Sequence, residues 1–167
     1  MNTISVMMPY VVLALGLAIN VKALLLHMDR TAQTASTGRR RWGPAVFALL
    51  DADAELAVLI PGGIFDAPPP ATPPGTYGVL GEEEVIDRSD ISGPGAEHRI
   101  LVQVLSDASG FAQAKAAAAR ISALLDGATP ALDVGRVVAI WFHAAQARRA
   151  EGGALRRIDL RFRVRVE

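Results

Sequence analysis

Leu155–Glu167 reads LRRIDLRFRVRVE, and this stretch decides the fold. Ile158, Leu160, Phe162, Val164 and Val166 alternate strictly with Arg157, Asp159, Arg161, Arg163 and Arg165. Period-two alternation is the mark of a strand with one buried face, because successive side chains leave a strand on opposite sides. The apolar face explains itself. The other face sets four arginines against one aspartate, and like charges two apart on a strand repel unless something answers them.

The preceding residues supply neighbours for this strand. AEGGA, residues 150–154, is a turn, and the stretch before it, about Arg136 to Arg148, reads as a strand, so the two form a long hairpin. Farther back, HRILVQVLSD places His98, Ile100, Val102 and Val104 on one strand face. Between them, ASGFAQAKAAAARISALLDG has Phe111, Ala114, Ala118, Ile121 and Leu125 at helical spacing, with Ser106 or Asp107 as its expected cap and Gly127 as its stop. Tyr77 to Asp87 reads as another strand, with Glu82, Glu83 and Glu84 at its solvated end.

Trp42 to Ile60 begins this core as helix. Pro44 suits a first turn, and Asp51 to Asp53 divide the segment in two before Pro61-Gly62-Gly63 ends it. Five prolines between Pro68 and Pro74 exclude helix and central strand there, leaving a surface polyproline loop or a partner-binding segment. The order helix, strand, strand, helix, strand, strand, with polar residues at alternate strand positions, predicts an α+β domain. It is an antiparallel sheet of about four strands with helices packed on one face.

The N-terminus does not fit this pattern. Thirteen uncharged residues, MMPYVVLALGLAI, are followed by Asn20 and Lys22, and RTAQTASTGRRR then reads as a linker. A helix docked on a partner, a membrane anchor over residues 7–28, and a segment outside the working fold all remain open. The first division is therefore an extension over residues 1–40 and a domain over 41–167.

The 167 residues include no cysteine, so disulfides and thiolate metal sites are excluded. His27, His98 and His143 lack ligand spacing, and neither a phosphate loop nor a nucleophile elbow occurs. Glu82 and Glu84 as paired acids read more simply as a solvated edge. No catalytic residue, metal site or cofactor is predicted. The 17 basic and 17 acidic residues cancel but are segregated. Residues 1–43 carry five basic groups and one acid, 44–109 two and eleven, and 110–167 ten and five. Such segregation either cancels inside one fold or gives a surface positive on one side and negative on the other, which suits self-association.

AVFALLDADAELAVLIPGGIFDAPPP, GEEEVIDRSD, GAEHRILVQVLSDASGFAQAKAAAARISALL, LDVGRVVAIWF and the closing LRRIDLRFRVRVE together resemble the tail terminator (tail completion) proteins of long-tailed phages. The versions in phage-like gene transfer agents of alphaproteobacteria are especially similar. The resemblance runs from about Arg41 to Glu167 and rests on the order and spacing of the elements, with no single diagnostic motif.

It implies a structural protein rather than an enzyme. Its partners would be copies of itself in a homohexameric ring, the tail tube protein and a head-side stopper or connector, with DNA present only in transit. The ring would cap the head-proximal end of the tube, in the neck of a particle assembled in the host bacterial cytoplasm. Family members begin shortly before the stretch matching AVFALL, so a start codon assigned upstream would account for residues 1–40. The rival reading is a small membrane-anchored α+β binding module. Arg161, Arg163 and Arg165 are expected to meet another subunit or the tube, with Glu82, Glu83, Glu84, Asp87 and Asp90 as available acids. A solvated strand face and contact with DNA are the alternatives.

Overall fold

The computed structural model describes residues 43–89, 91, 95–132 and 135–167. The chain separates into two units at Ser36/Thr37, and every described residue lies in the second. The expectations for residues 1–42 and for Asp90 fall outside the described residues.

The α+β architecture is present. Residues 43–51 form helix α1, and α2 spans Ala54–Leu59. The break between them falls where the acids Asp51 and Asp53 interrupt the apolar run. Asp53 is the N-cap of α2, its carboxylate accepting from Leu56 N–H at 2.7 Å. Strand β1 is the pair Ile64–Phe65, β2 is Thr76–Asp87 and β3 is Ala96–Ser106. Helix α3 covers Ala112–Leu125, and β4 (Val137–Ala150) and β5 (Leu155–Val166) form the hairpin around a short 3-10 turn at Glu151–Gly153.

The sheet order is β1-β2-β3-β5-β4. It has five strands rather than about four, and it is mixed, because β1 runs parallel to β2 while all other neighbours are antiparallel. Two residues of strand between a glycine turn and a proline-rich loop leave no periodicity to read, which is why β1 is absent from the sequence pattern.

The core lies between the sheet and the helices. Ile100, Val102 and Val104 of β3 and Ile158, Leu160, Phe162 and Val164 of β5 meet Val46, Leu50, Leu56, Ala114, Ile121 and Leu125. Small residues at Ala114, Ala117 and Ala118 face the sheet, and Gly127 ends the helix at φ +78°, where a side chain would be strained. The predicted cap is not used. Ser106 hydroxyl accepts from Ala108 N–H, Asp107 accepts from Gly75 N–H, and Phe111 occupies the N-cap without a side-chain bond. Both polar groups are engaged by nearer backbone as the chain leaves β3.

Arg120 of α3 fastens the two helical segments. Its guanidinium donates to both oxygens of Asp53, at 2.9 and 2.6 Å, and reaches Glu55 at 2.9 Å. No helix among the described residues is long and apolar enough to cross a membrane.

Candidate functional site

Cross-strand register places Arg157, Arg161, Arg163 and Arg165 of β5 on the face of the sheet that carries no helices. Arg165 lies beside Glu97, Arg163 beside Arg99, Arg161 beside Leu101, Asp159 beside Gln103 and Arg157 beside Leu105. On the other side of β5, Trp141 flanks Arg163 and Ala144 flanks Arg161. One row therefore runs Trp141, Arg163, Arg99, Glu84 across four strands. Trp141 is half exposed on that face.

Much of the repulsion expected from the sequence is answered inside the chain. Asp159 is buried and accepts from Arg157 at 2.7 Å and from Arg148 at 3.0 Å. Arg99 bridges Glu84 at 3.0 Å and Glu97 at 3.3 Å, while Arg88 reaches Glu97 at 3.4 Å. Arg165 touches Glu167 at 3.4 Å. Burial pushes the Glu97 carboxyl up, but the Arg99 hydrogen bond and the charges of Arg88, Arg99 and Arg163 outweigh it and hold the group below its ordinary value. Glu97, then Glu84, holds the Arg99 guanidinium above its own.

Two arginines are left over. Arg161 is exposed and has no ion pair among the described residues. Arg163 has its Nε enclosed without a hydrogen-bond partner. A guanidinium offers five donors, so this face keeps unspent capacity for carboxylates or phosphates.

The acids proposed as their counterparts divide. Glu84 lies on the same face, and Glu82 is exposed at the bulge between Leu80 and Glu83. Asp87 is aligned with Ala96 on the helix side of the sheet and ties the next turn, accepting from Ser89 N–H at 2.8 Å and its hydroxyl at 2.6 Å. The three glutamates do not mark a strand end, since β2 runs through them to Asp87. The bulge lets Glu83 turn inward, where Oε1 meets His98 Nδ1 at 2.5 Å with both side chains almost wholly enclosed. His98 occupies an apolar strand face in sequence, and a buried polar group needs a partner. The sequence thus shows the need for one but not its identity. His143 lies exposed at another bulge, between Phe142 and Ala144.

No group of three or more His, Cys, Asp or Glu able to hold a metal ion occurs among the described residues. The geometry is that of a charged, partly unsatisfied sheet face suited to binding another macromolecule.

No curated protein matches the chain. A chain from a solved structure described as "Virion of native gene transfer agent (GTA) particle" is 50% identical, with a TM-score of 0.71, covering 76% of this chain and 95% of that one. The family model for tail completion protein gp17 matches residues 44–167, which include all the described elements except the first residue of α1. The chain belongs to the tail completion protein gp17 family.

Proposed function

We propose that this chain is a structural component of a phage-like particle, sits at the neck, and forms a homohexameric ring on the head-proximal end of the tail tube. The ring ends tube growth and presents a surface to the stopper or connector of the head, and DNA crosses it only in transit. The observation that carries this reading is the family match over residues 44–167 together with half-identity to a chain of a gene transfer agent virion. The role is mechanical, with no catalytic step.

Arg161 and Arg163, with Arg165 beside them, receive carboxylates of a partner in the particle, from the tube protein or a neighbouring copy. Glu82 and Glu84 are acids that a neighbouring copy would offer. Ring subunits meet through two different patches, and a chain with separated charge supports such heterologous contact.

The test is light scattering behind size exclusion on the full chain, alone and with purified tail tubes, with negative-stain images. A hexameric ring, free or on tube ends, is expected. The double reversal Arg161→Glu and Arg163→Glu should reduce ring formation or tube capping more than it lowers the stability of the monomer. A chain that neither forms rings nor binds tube ends would overturn the reading.

A further inference from the structure

The two long strands nearest the edges of the sheet, β4 and β2, are each covered over only part of their length by described residues. In β4, Phe142 N–H donates to Asp126 Oδ1 at 2.9 Å and Ile140 C=O accepts from Gly127 N–H at 2.8 Å. The loop after α3 therefore closes the first half of this edge. Beyond the bulge at His143, residues 144–150 have no strand or loop partner on their outer side among the described residues. At the other edge, β1 covers only Gly78 and Val79, and no described strand flanks β2 beyond them.

Hydrogen-bonding groups alternate along an antiparallel pair, so the outward residues can be identified. Ile140 and Phe142 turn outward and lie opposite Val164 and Phe162. The residues opposite Leu160, Ile158 and Arg156 are Ala145, Ala147 and Arg149, and these continue the outward series past the bulge. In β2, Gly78 N–H donates outward to Gly63 C=O and lies opposite Val104. The same alternation turns Val85, opposite His98, outward.

We propose that residues 144–150 of one copy add as an antiparallel strand to the second half of β2 in the next copy, with Ala147 opposite Val85 and Arg148 opposite Glu84. This rests on the ring reading and names its joint. Four features agree on it. First, β2 and β4 run in opposite directions within the chain, because three antiparallel steps separate them. A rotation that preserves strand direction therefore makes the junction antiparallel.

Second, the register pairs outward backbone with outward backbone. Third, it keeps Arg148 and Glu84 on the same, helix-free face, where both are exposed. Fourth, antiparallel direction sets the Arg148–Arg149 end of one edge against the glutamates of the other, which a parallel arrangement would not. The alanines at 144, 145, 147 and 150 are poor strand formers on their own. Their small side chains leave the edge open to close approach. A strand edge of this length that no described strand covers is a template for another chain. The joint leaves Arg161 and Arg163 on the uncovered face, available to carboxylates of the tube.

The absence of cysteine makes the joint directly testable in the full chain. Arg148→Cys and Glu84→Cys would sit at a non-hydrogen-bonded pair, where the spacing permits a disulfide. Under mild oxidation, a mixture of the two single variants should give a cross-linked dimer, and neither alone should. Ala147→Pro removes an outward N–H without cutting a bond to β5, so it should abolish oligomers while the monomer keeps its circular dichroism spectrum. Rings that form without the mixed cross-link would overturn the joint and leave the ring reading standing. Cross-links without rings would support the joint and overturn the ring. Neither cross-link nor oligomer would overturn both.

Discussion

At the residue scale, burial and ion pairing assign different work to similar side chains. Asp53, one of three acids in a short acidic stretch, caps α2 and holds Arg120. The Arg120 hydrogen bonds first, and the Leu56 N–H after them, keep its carboxyl below the usual aspartate range. Its folded pKa lies below its unfolded one of about 3.9, so its contribution is complete above the unfolded value and lost as pH falls through the folded one. Asp53→Asn should therefore lower the melting temperature at neutral pH, by roughly 5 °C. It should also show a smaller further loss than the natural chain when melting is repeated between about pH 5 and pH 2. Glu97 shifts in the same direction and adds to the acid lability of the natural chain. Position among acids does not reveal this division: Glu82, Glu83 and Glu84 are adjacent, yet one is exposed, one is enclosed on His98 and one bridges Arg99.

At the element scale, β4 and β5 form one hairpin whose strands have unlike neighbours. β5 is flanked by strands on both sides, and Phe162 is about as deeply buried as any side chain in the domain, with its ring edge-on to Phe142 at 5.8 Å. Phe162→Ala should cost about 3–5 kcal/mol in denaturant unfolding, because the cavity it leaves is walled by both sheet and helix. β4 is an edge strand, and Asp126 closes its first half. Asp126→Ala should speed amide exchange at Phe142 with little change in global stability, since the released N–H reaches water. The two helices before the sheet were legible because acids interrupt an apolar run, and the hairpin was legible because alternation spans a glycine turn. The bulges in β2 and β4 were not. A bulge adds one residue without changing composition, so only the partner strand reveals it.

At the scale of the molecule, the acidic segment 44–109 and the basic segment 110–167 contribute strands to one sheet. Cross-strand pairs, Arg99 with Glu84 and Arg148 with Asp159, neutralise part of their charge, and Arg149 and Glu82 stay exposed at opposite edges. A ring held by those remaining charges should dissociate as salt rises from about 0.05 M to about 0.5 M, where screening shortens the reach of exposed charges. Light scattering across that series reads the effect. Oligomers indifferent to salt would point instead to the backbone edges as the dominant contact.

Local pattern by itself determined most of the elements: the alternation of the closing strand, the helical spacing of α3, the glycine and proline stops, and the helix-on-sheet class that follows from them. It also carried the resemblance that the family match bears out. Tertiary structure alone decided β1, the inward turn of Glu83 toward His98, and which arginines are satisfied. Periodicity is a property of neighbouring residues, so the chain displays it directly. Pairing across strands joins residues far apart in sequence, and a one-residue bulge changes which side chains share a face. Arg157 and Arg161 both stand two residues from Asp159 in the sequence, and only the folded chain shows that Asp159 accepts from Arg157 and, across the hairpin, from Arg148, while Arg161 has no ion pair among the described residues.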